Sequence, residues 1–151
     1  MVCLGNICRS PLAEGILQSK VDATQIQVDS AGTAGYHIGR KPDSRSIQVA
    51  LNHGIDISQQ RCRQVSLSDF ANFDYIFAMD NANYEDLIDL AKNTQSKAKI
   101  QLISEILYPN QNVEIPDPYY GNAEDFETVY QLLDPICEAI AQQLTQSNNL
   151  K

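Results

Sequence analysis

An α/β fold, with a parallel sheet between two layers of helices, is what this sequence predicts. Strand-like and helix-like segments alternate from one end of the chain to the other, the order expected of βαβ units. The segment FDYIFAMD (73–80) is apolar without alternation, as a strand buried on both faces requires. No repeat, low-complexity tract or linker interrupts the 151 residues, so 1–151 is expected to form one domain.

The chain opens MVCLGNICRSP, and only Met1 and Val2 stand before Cys3. Two residues fall short of the usual strand of about five or six. The rest of the chain, with FDYIFAMD reading as a centrally buried strand, is patterned as though a strand stood before Cys3. The expectation is therefore an apolar, β-branched run upstream of Met1, and poor stability without it. SPLAEGILQSK reads as a helix, with Ser10 as its cap, Pro11 at its first position and Leu12, Ile16 and Leu17 as its buried stripe. IQVDSAG (26–32) is a short strand ending in a turn. SRSIQVALNHG is a helix with Ile47, Ala50 and Leu51 inward and Gly54 as its stop. SLSDF opens with a capping-box pattern, Ser66 and Asp69. After strand 73–80 come the helix NANYEDLIDLAK, the strand AKIQLI (98–103) and a long closing helix, DFETVYQLLDPICEAIAQQL, in which Pro135 predicts a local distortion. The tail from about 146 is expected to fray. In such sheets ligands bind beyond the C-terminal ends of the strands. The loop 3–9, the turn after Asp29 and the end of FAMD all fall there.

Composition narrows the function. The hydrophobic fraction, 43%, is that of a globular chain, and no apolar run approaches the roughly 18 residues of a membrane span. A Cys at position 3 leaves no room for the charged and apolar regions of a signal peptide, which points to a reducing, cytoplasmic setting. Cys3, Cys8, Cys62 and Cys137 then read as thiols. A formal net charge of −8 argues against nucleic acid or an anionic membrane as the main partner. An anionic ligand would need a local positive site.

The segment Cys3-Leu4-Gly5-Asn6-Ile7-Cys8-Arg9-Ser10 supplies one. A loop of this length curls around a tetrahedral anion with several backbone N–H groups turned inward. The helix that follows adds the positive end of its dipole. Arg9 offers a planar fork for two phosphate oxygens. Gly5 allows close approach or positive φ, and Asn6 tolerates a left-handed conformation. A helix N-terminus and a nearby cation also activate a thiol, which makes Cys3 a candidate nucleophile, with Ser10 as a donor to its sulfur. The plainer reading is a small buried Cys3 and a surface Arg9. Cys3 and Cys8 as metal ligands would need a second Cys or His pair at compatible spacing, and the sequence has none. A curled loop can bring Cys8 within disulfide reach of Cys3 under oxidation; the plainer role of Cys8 is to pack inward.

A thiol attacking a phosphate ester needs a proton donor for the leaving oxygen. IPDPYYGN (115–122) offers Asp117, stiffened between two prolines, with Tyr119 and Tyr120 to wall a slot for an aromatic ring. Asp80, at a strand end, is the rival acid; its plainer role is to cap the helix starting near Asn81.

VCLGNICRSPLAE, SAGTAGYHIG, FDYIFAMD and DPYYGNAEDFETVYQLL occur in this order over nearly the whole chain, and together they resemble the low-molecular-weight protein tyrosine phosphatases. The resemblance implies a three-layer, flavodoxin-like fold whose four-stranded parallel sheet has the order 2-1-3-4, here with a stub for its first strand. It implies a phosphocysteine intermediate, no metal or other cofactor, and tyrosine-phosphorylated proteins as partners. It carries over Cys3 as nucleophile, Arg9 as phosphate ligand, Leu4, Gly5, Asn6, Ile7 and Cys8 as the phosphate loop, Ser10 as partner of the sulfur, and Asp117 as general acid and then base. It also implies a network of Asn6, Ser30 and His53 bracing the loop; for His53 the plainer role is a helix C-terminal residue before Gly54. Tyr36, Tyr119 and Tyr120 match positions at the substrate mouth, and the last two match positions phosphorylated in some relatives. Three other activities share this pattern in part. An arsenate reductase would need further cysteines as a relay, yet Cys62 and Cys137 are far apart and Cys137 falls in a helix. A protein-arginine phosphatase tends to have Thr where this chain has Ile7. A silent phosphotyrosine-binding module would lack the acid or the nucleophile.

Overall fold

The computed structural model describes residues Met1–Leu150. Its strands are β1 (Val2–Cys3), β2 (Ala31–Gly32), β3 (Ile76–Ala78) and β4 (Ile100–Leu102). They form one four-stranded sheet of order β2-β1-β3-β4, and every pair is parallel. The helices are α1 (Arg9–Gln18), α2 (Ser44–Asn52), α3 (Leu67–Asn72), α4 (Asn81–Leu90), α5 (Thr94–Lys97) and α6 (Ala123–Asn149).

Alternation along the strands sorts the core into two halves. Cys3, Phe77 and Met79 join Leu12 and Ile16 of α1, Val49 and Ala50 of α2, and Leu133, Ile136 and Ile140 of α6. Val2, Ile76, Ala78, Ile100 and Leu102 join Phe70 of α3 and Leu87 of α4. Both faces of the sheet are therefore covered, which is why FDYIFAMD carries no polar alternation. β1 occupies the centre, so its C-terminal end, Cys3, opens at the switch point between neighbouring strands.

Several elements differ from expectation. The strands are shorter than their apolar runs: β1 pairs through Val2 and Cys3 only, so β2 keeps two residues of the expected 26–32. Residues on either side of β1's line, among them Ile26, Val28, Phe73, Tyr75 and Leu144, border a groove of about 420 Å³. α1 starts earlier than Ser10: Cys8 is its N-cap and Ser10 its second residue. Ser10 does not cap because its hydroxyl is turned to Cys3 and Asn6. Pro11 is then the third helical residue, still within the first turn, where a missing N–H costs nothing. On α2 Ser46, Val49 and Ala50 are buried and Ile47 packs against the core as expected, while Leu51 is 48% exposed. The buried Ser46 hydroxyl donates to the Cys8 carbonyl (3.1 Å), and that anchor sets the helix rotation. Asn93 caps the short α5, an element the sequence reading omitted. α6 runs through Pro135 and on to Asn149, past the point near 146 where fraying was expected.

Two expected punctuation marks are in place: Gly54 follows the C-cap of α2 with φ +79°, and Ser66 and Asp69 form a capping box at α3. Asp43, not singled out in the sequence, caps α2. A second capping box, Asn122 with Asp125, opens α6. Gly121 lies directly before it, and a Cβ there would overlap the Asp125 carboxylate. Gly121→Ala is expected to force Asp125 out of the capping box and lower stability by about 0.5–2 kcal/mol, the usual worth of a cap. Urea unfolding measures it; an unchanged midpoint would mean that Asp125 caps from another rotamer.

Candidate active site

Cys3 ends β1 at the floor of a mouth of about 270 Å³ whose walls include Leu4, Ile7, Arg9, Asp117 and Tyr119. From Leu4 to Cys8 the chain is neither strand nor helix. The backbone N–H groups of Leu4, Gly5, Asn6, Ile7 and Cys8 donate to no acceptor among the described residues. Orphan amides in succession are rare in folded chains, and a run of them at a helix N-terminus is the structure of an anion site.

The loop keeps its curve through Asn6, whose φ is +56°. Its side chain is 2% exposed and fully engaged. The Arg63 amide donates to Asn6 Oδ1 (2.9 Å), and a backbone N–H can only donate. Nδ2 must then face the other way, where it donates to Ser10 Oγ (2.8 Å) and Ser30 Oγ (2.9 Å). Each serine retains one proton. Ser30 gives its own to Glu14 Oε2 (2.9 Å), and Ser10 has Cys3 Sγ at 3.1 Å. Ser10, accepting from Asn6, keeps its proton free for the sulfur, which as a thiolate can only accept. The Cys62 thiol donates to the Asn6 carbonyl (2.8 Å) and closes the brace. Gly5 does not adopt positive φ; a Cβ there would press on the His37 ring at 3.1 Å, so close approach is its reason.

Arg9 is 3% exposed, and a buried cation needs a partner. Its Nη1 donates to Asp80 Oδ2 (2.7 Å) and to the Ile115 carbonyl (3.0 Å). Nε and Nη2 have no hydrogen-bond partner among the described residues. Asp80 also caps α4, accepting from the Asn83 amide through Oδ1 (2.8 Å). The cap and the rival acid of the sequence reading are thus one carboxylate, and it faces Arg9. Asp117 Oδ2 lies 3.7 Å from Arg9 Nη2, and its side chain is 45% exposed, a position from which a proton can reach a ligand in the mouth.

Tyr36, Tyr119 and Tyr120 all stand at the mouth, Tyr120 almost wholly in solvent and packed edge-on to Tyr119 at 4.9 Å. His53 does not join Asn6 and Ser30. It is the C-cap of α2, stacked on Tyr130 at 3.7 Å, with Nε2 on Glu127 Oε1 (2.9 Å), so the helix-end reading holds. The place assigned to it is filled by Glu14, which reads as ordinary helix surface, and by Arg63 and Cys62, whose separation from the loop in sequence gave no signal. His37 and Arg45 were missed for the same reason. All four cysteines are free and buried. Burial pushes the Cys8 and Cys62 thiols up, and that of Cys137 up to about 12.

Burial and the nearby Asp29 carboxylate also raise Glu14, from 4.5 to about 7, against the opposing pull of the Ser30 hydrogen bond. A carboxyl raised on folding contributes fully below its unfolded value, and the contribution is lost as pH rises through the folded one. Glu14→Gln keeps an acceptor for Ser30 and removes the titration. The stability of the variant relative to the parent is expected to rise between pH 5 and pH 8. Urea unfolding at the two pH values checks it, and a constant difference would place the Glu14 charge outside the network's energetics.

The family model described as low molecular weight phosphotyrosine protein phosphatase matches residues 1–150. The Homo sapiens protein of that name is 45% identical over 147 residues, covering 94% of this chain and 92% of its own. Among solved structures, a protein tyrosine phosphatase from Entamoeba histolytica with Hepes in the active site superposes with a TM-score of 0.88 at 41% identity, covering 97% of this chain and 96% of that one. Vibrio vulnificus Wzb in complex with benzylphosphonate gives 0.84 at 32% identity, with 94% of each chain covered. With the sheet order, the loop and these relatives in agreement, the chain belongs to the low molecular weight phosphotyrosine protein phosphatase family, a family of hydrolases.

Proposed function

We propose that this chain, as one phosphatase domain, hydrolyses phosphotyrosine in proteins through a phosphocysteine intermediate. The observation that carries the reading is the run of five unpartnered amides, Leu4 to Cys8, beside Cys3 and the two unpartnered donors of Arg9. These groups suit the three equatorial oxygens of a phosphoryl group in transfer. Cys3 Sγ attacks phosphorus and the bond to the tyrosyl oxygen breaks, while Asp117 delivers its proton to that oxygen. Water then attacks phosphorus, Asp117 takes a proton from it, and the S–P bond breaks to release inorganic phosphate and the sulfur anion. Ser10, as a hydroxyl donor, supports that anion in both steps.

Tyr119 and Ile7 offer flat and apolar walls for an aryl ring, and a β-branched Ile7 crowds a guanidinium, which disfavours phosphoarginine. Cys137 is enclosed in α6 against the Ala13 carbonyl, and Cys62 is committed to Asn6, which speaks against a thiol relay for arsenate. The charge of −8 fits phosphoprotein partners better than nucleic acid or membrane. No helix among the described residues is long and apolar enough to cross a membrane, and four free thiols fit a cytoplasmic setting.

Cys3→Ser is expected to abolish turnover of aryl phosphates while still binding vanadate; Arg9→Ala should lose both. Asp117→Asn should lower kcat/KM by about 10²–10⁴, the range for a general acid, and the loss should shrink as the leaving group becomes more acidic. Steady-state kinetics without added metal test all three, and turnover by Cys3→Ser would overturn the assignment.

Cys8 shares the loop with Cys3. Under mild peroxide Cys3 is expected to form a sulfenic acid, on which the Cys8 thiol condenses with loss of water to give a reversible disulfide. Peptide mapping decides it: overoxidised Cys3 without a Cys3–Cys8 link would exclude this protection.

A further inference from the structure

Arg45, on the first turn of α2, is 35% exposed in its side chain, yet four of its five N–H groups are spent on fixed acceptors. Nε and Nη2 hold Asp43 Oδ1 and Oδ2 (3.0 and 2.9 Å). Nη2 also donates to the Tyr119 carbonyl (2.9 Å), and Nη1 to the Gly121 carbonyl (3.1 Å). The guanidinium lies 4.5 Å from the centre of the Phe126 ring and 5.8 Å from that of Tyr119. A surface ion pair with Asp43 would be worth little and would not need this arrangement.

The two edges of the guanidinium serve two different parts of the site. Asp43 belongs to the phosphate-loop side: its amide donates to the Ile7 carbonyl (2.8 Å), and one turn on, Ser46 donates to the Cys8 carbonyl. Tyr119 and Gly121 belong to the loop that carries Asp117. Asp117 Oδ1 accepts from the Tyr119 amide (3.1 Å), so the peptide units on either side of Tyr119 Cα link the Arg45 guanidinium to the Asp117 carboxyl. The N-terminal end of this loop is tied down separately, by Ile115 N–H to the Met79 carbonyl (2.9 Å) and by Arg9 on the Ile115 carbonyl. Arg45 is the tie on the other side of Asp117 that comes from the phosphate-loop half.

We propose that Arg45 is a positioning residue for Asp117, setting the distance between the acid and the Cys3–Arg9 loop through the Tyr119 and Gly121 carbonyls. The inference rests on the reading of Asp117 as proton donor. A loop freed from this fork keeps its carboxyl but not its place over the leaving oxygen, and displacements of about 1 Å cost up to about 100-fold. Lys at 45 keeps the charge but has no planar fork to span Asp43 and two carbonyls at once.

The test is kcat/KM for a series of aryl phosphates of falling leaving-group pKa, measured for the parent, Arg45→Ala, Arg45→Lys, Asp117→Asn and Arg45→Ala in the Asp117→Asn background. Both Arg45 variants should lose about 10- to 100-fold on phenyl phosphate and about twofold or less on the most acidic nitrophenols, with the inhibition constant for inorganic phosphate unchanged. In the Asp117→Asn background Arg45→Ala should add nothing. An equal loss across all leaving groups, a loss that multiplies with Asp117→Asn, or full activity in Arg45→Lys would each overturn the proposal. If Asp117→Asn itself shows no leaving-group dependence, it is the acid assignment that fails. If Asp117→Asn behaves as an acid variant and Arg45→Ala does not follow it, Asp117 stands and Arg45 does not.

Discussion

The site depends on the direction of one amide. Asn6 holds a left-handed backbone, a conformation that costs an ordinary residue about 1–2 kcal/mol, and it is kept there by four hydrogen bonds rather than by lack of a side chain. Because the Arg63 N–H has only a proton to offer, Oδ1 is fixed toward it and Nδ2 toward the two serines. With Glu14 and Cys3 both ionised, the proton order of the whole chain from Glu14 to Cys3 follows from that one constraint. Arg63 is itself held by Asp29 (3.1 Å) and Asp69 (3.0 Å), so the segment leading into β2 and the start of α3 both support the loop's curvature. An Asp at position 6 would leave the two serines without a donor and set a carboxylate beside the sulfur.

A second constraint is electrostatic. The chain carries a formal net charge of −8, yet its mouth must attract a dianion. Burying Arg9 answers this, because a guanidinium shielded from water exerts its charge at short range without being screened. Burial would be costly without a partner, and Asp80 provides one from the far side through Nη1. Asp80 keeps its place because its other oxygen caps α4, so the anchoring of the arginine is built into the start of a helix. The carboxylate that balances Arg9 thus sits behind it, and the two donors that face away from Asp80 are left for a ligand.

How much of this could be read from the sequence follows from how local each part is. The phosphate loop, the α1 stripe and the capping residues are decided within one turn of chain, and Cys3, Asn6, Arg9, Leu12 and Ile16 are where their types and spacing put them. The strands could be located but not bounded, since a ladder ends where its partner ends and not where apolar residues do; β2 keeps only the residues opposite Val2 and Cys3. His53 was misplaced because a histidine before a glycine reads equally as network member or helix end, and only the Tyr130 ring across from it settles the matter. Glu14, Arg63 and Cys62 escaped because nothing near them in the chain marks them. Glu14 lies on α1 among residues that read as an ordinary helix surface, and its neighbour Ser30 arrives from β2's approach, 16 residues away.

The two halves of the site are built to different degrees of rigidity, and the chemistry gives a reason. Cys3 and Arg9 are each 3% exposed, one at the end of the central strand and the other in the first turn of a buried helix. In the proposed mechanism the nucleophile and the phosphate grip act at a single fixed point, the phosphorus, and gain from immobility. The acid in that mechanism has two tasks at the same carboxyl: it gives a proton to a bulky aryl oxygen and then takes one from a water that enters after that group has left. Such a group must be open to exchange with solvent between the steps, which a buried strand end would not permit. Asp117 is accordingly on a loop, half exposed, with the prolines on either side limiting its backbone and α2 linking it to the buried half. On the proposed role of Arg45, the first turn of α2 belongs to the catalytic geometry although none of its side chains needs to touch a substrate.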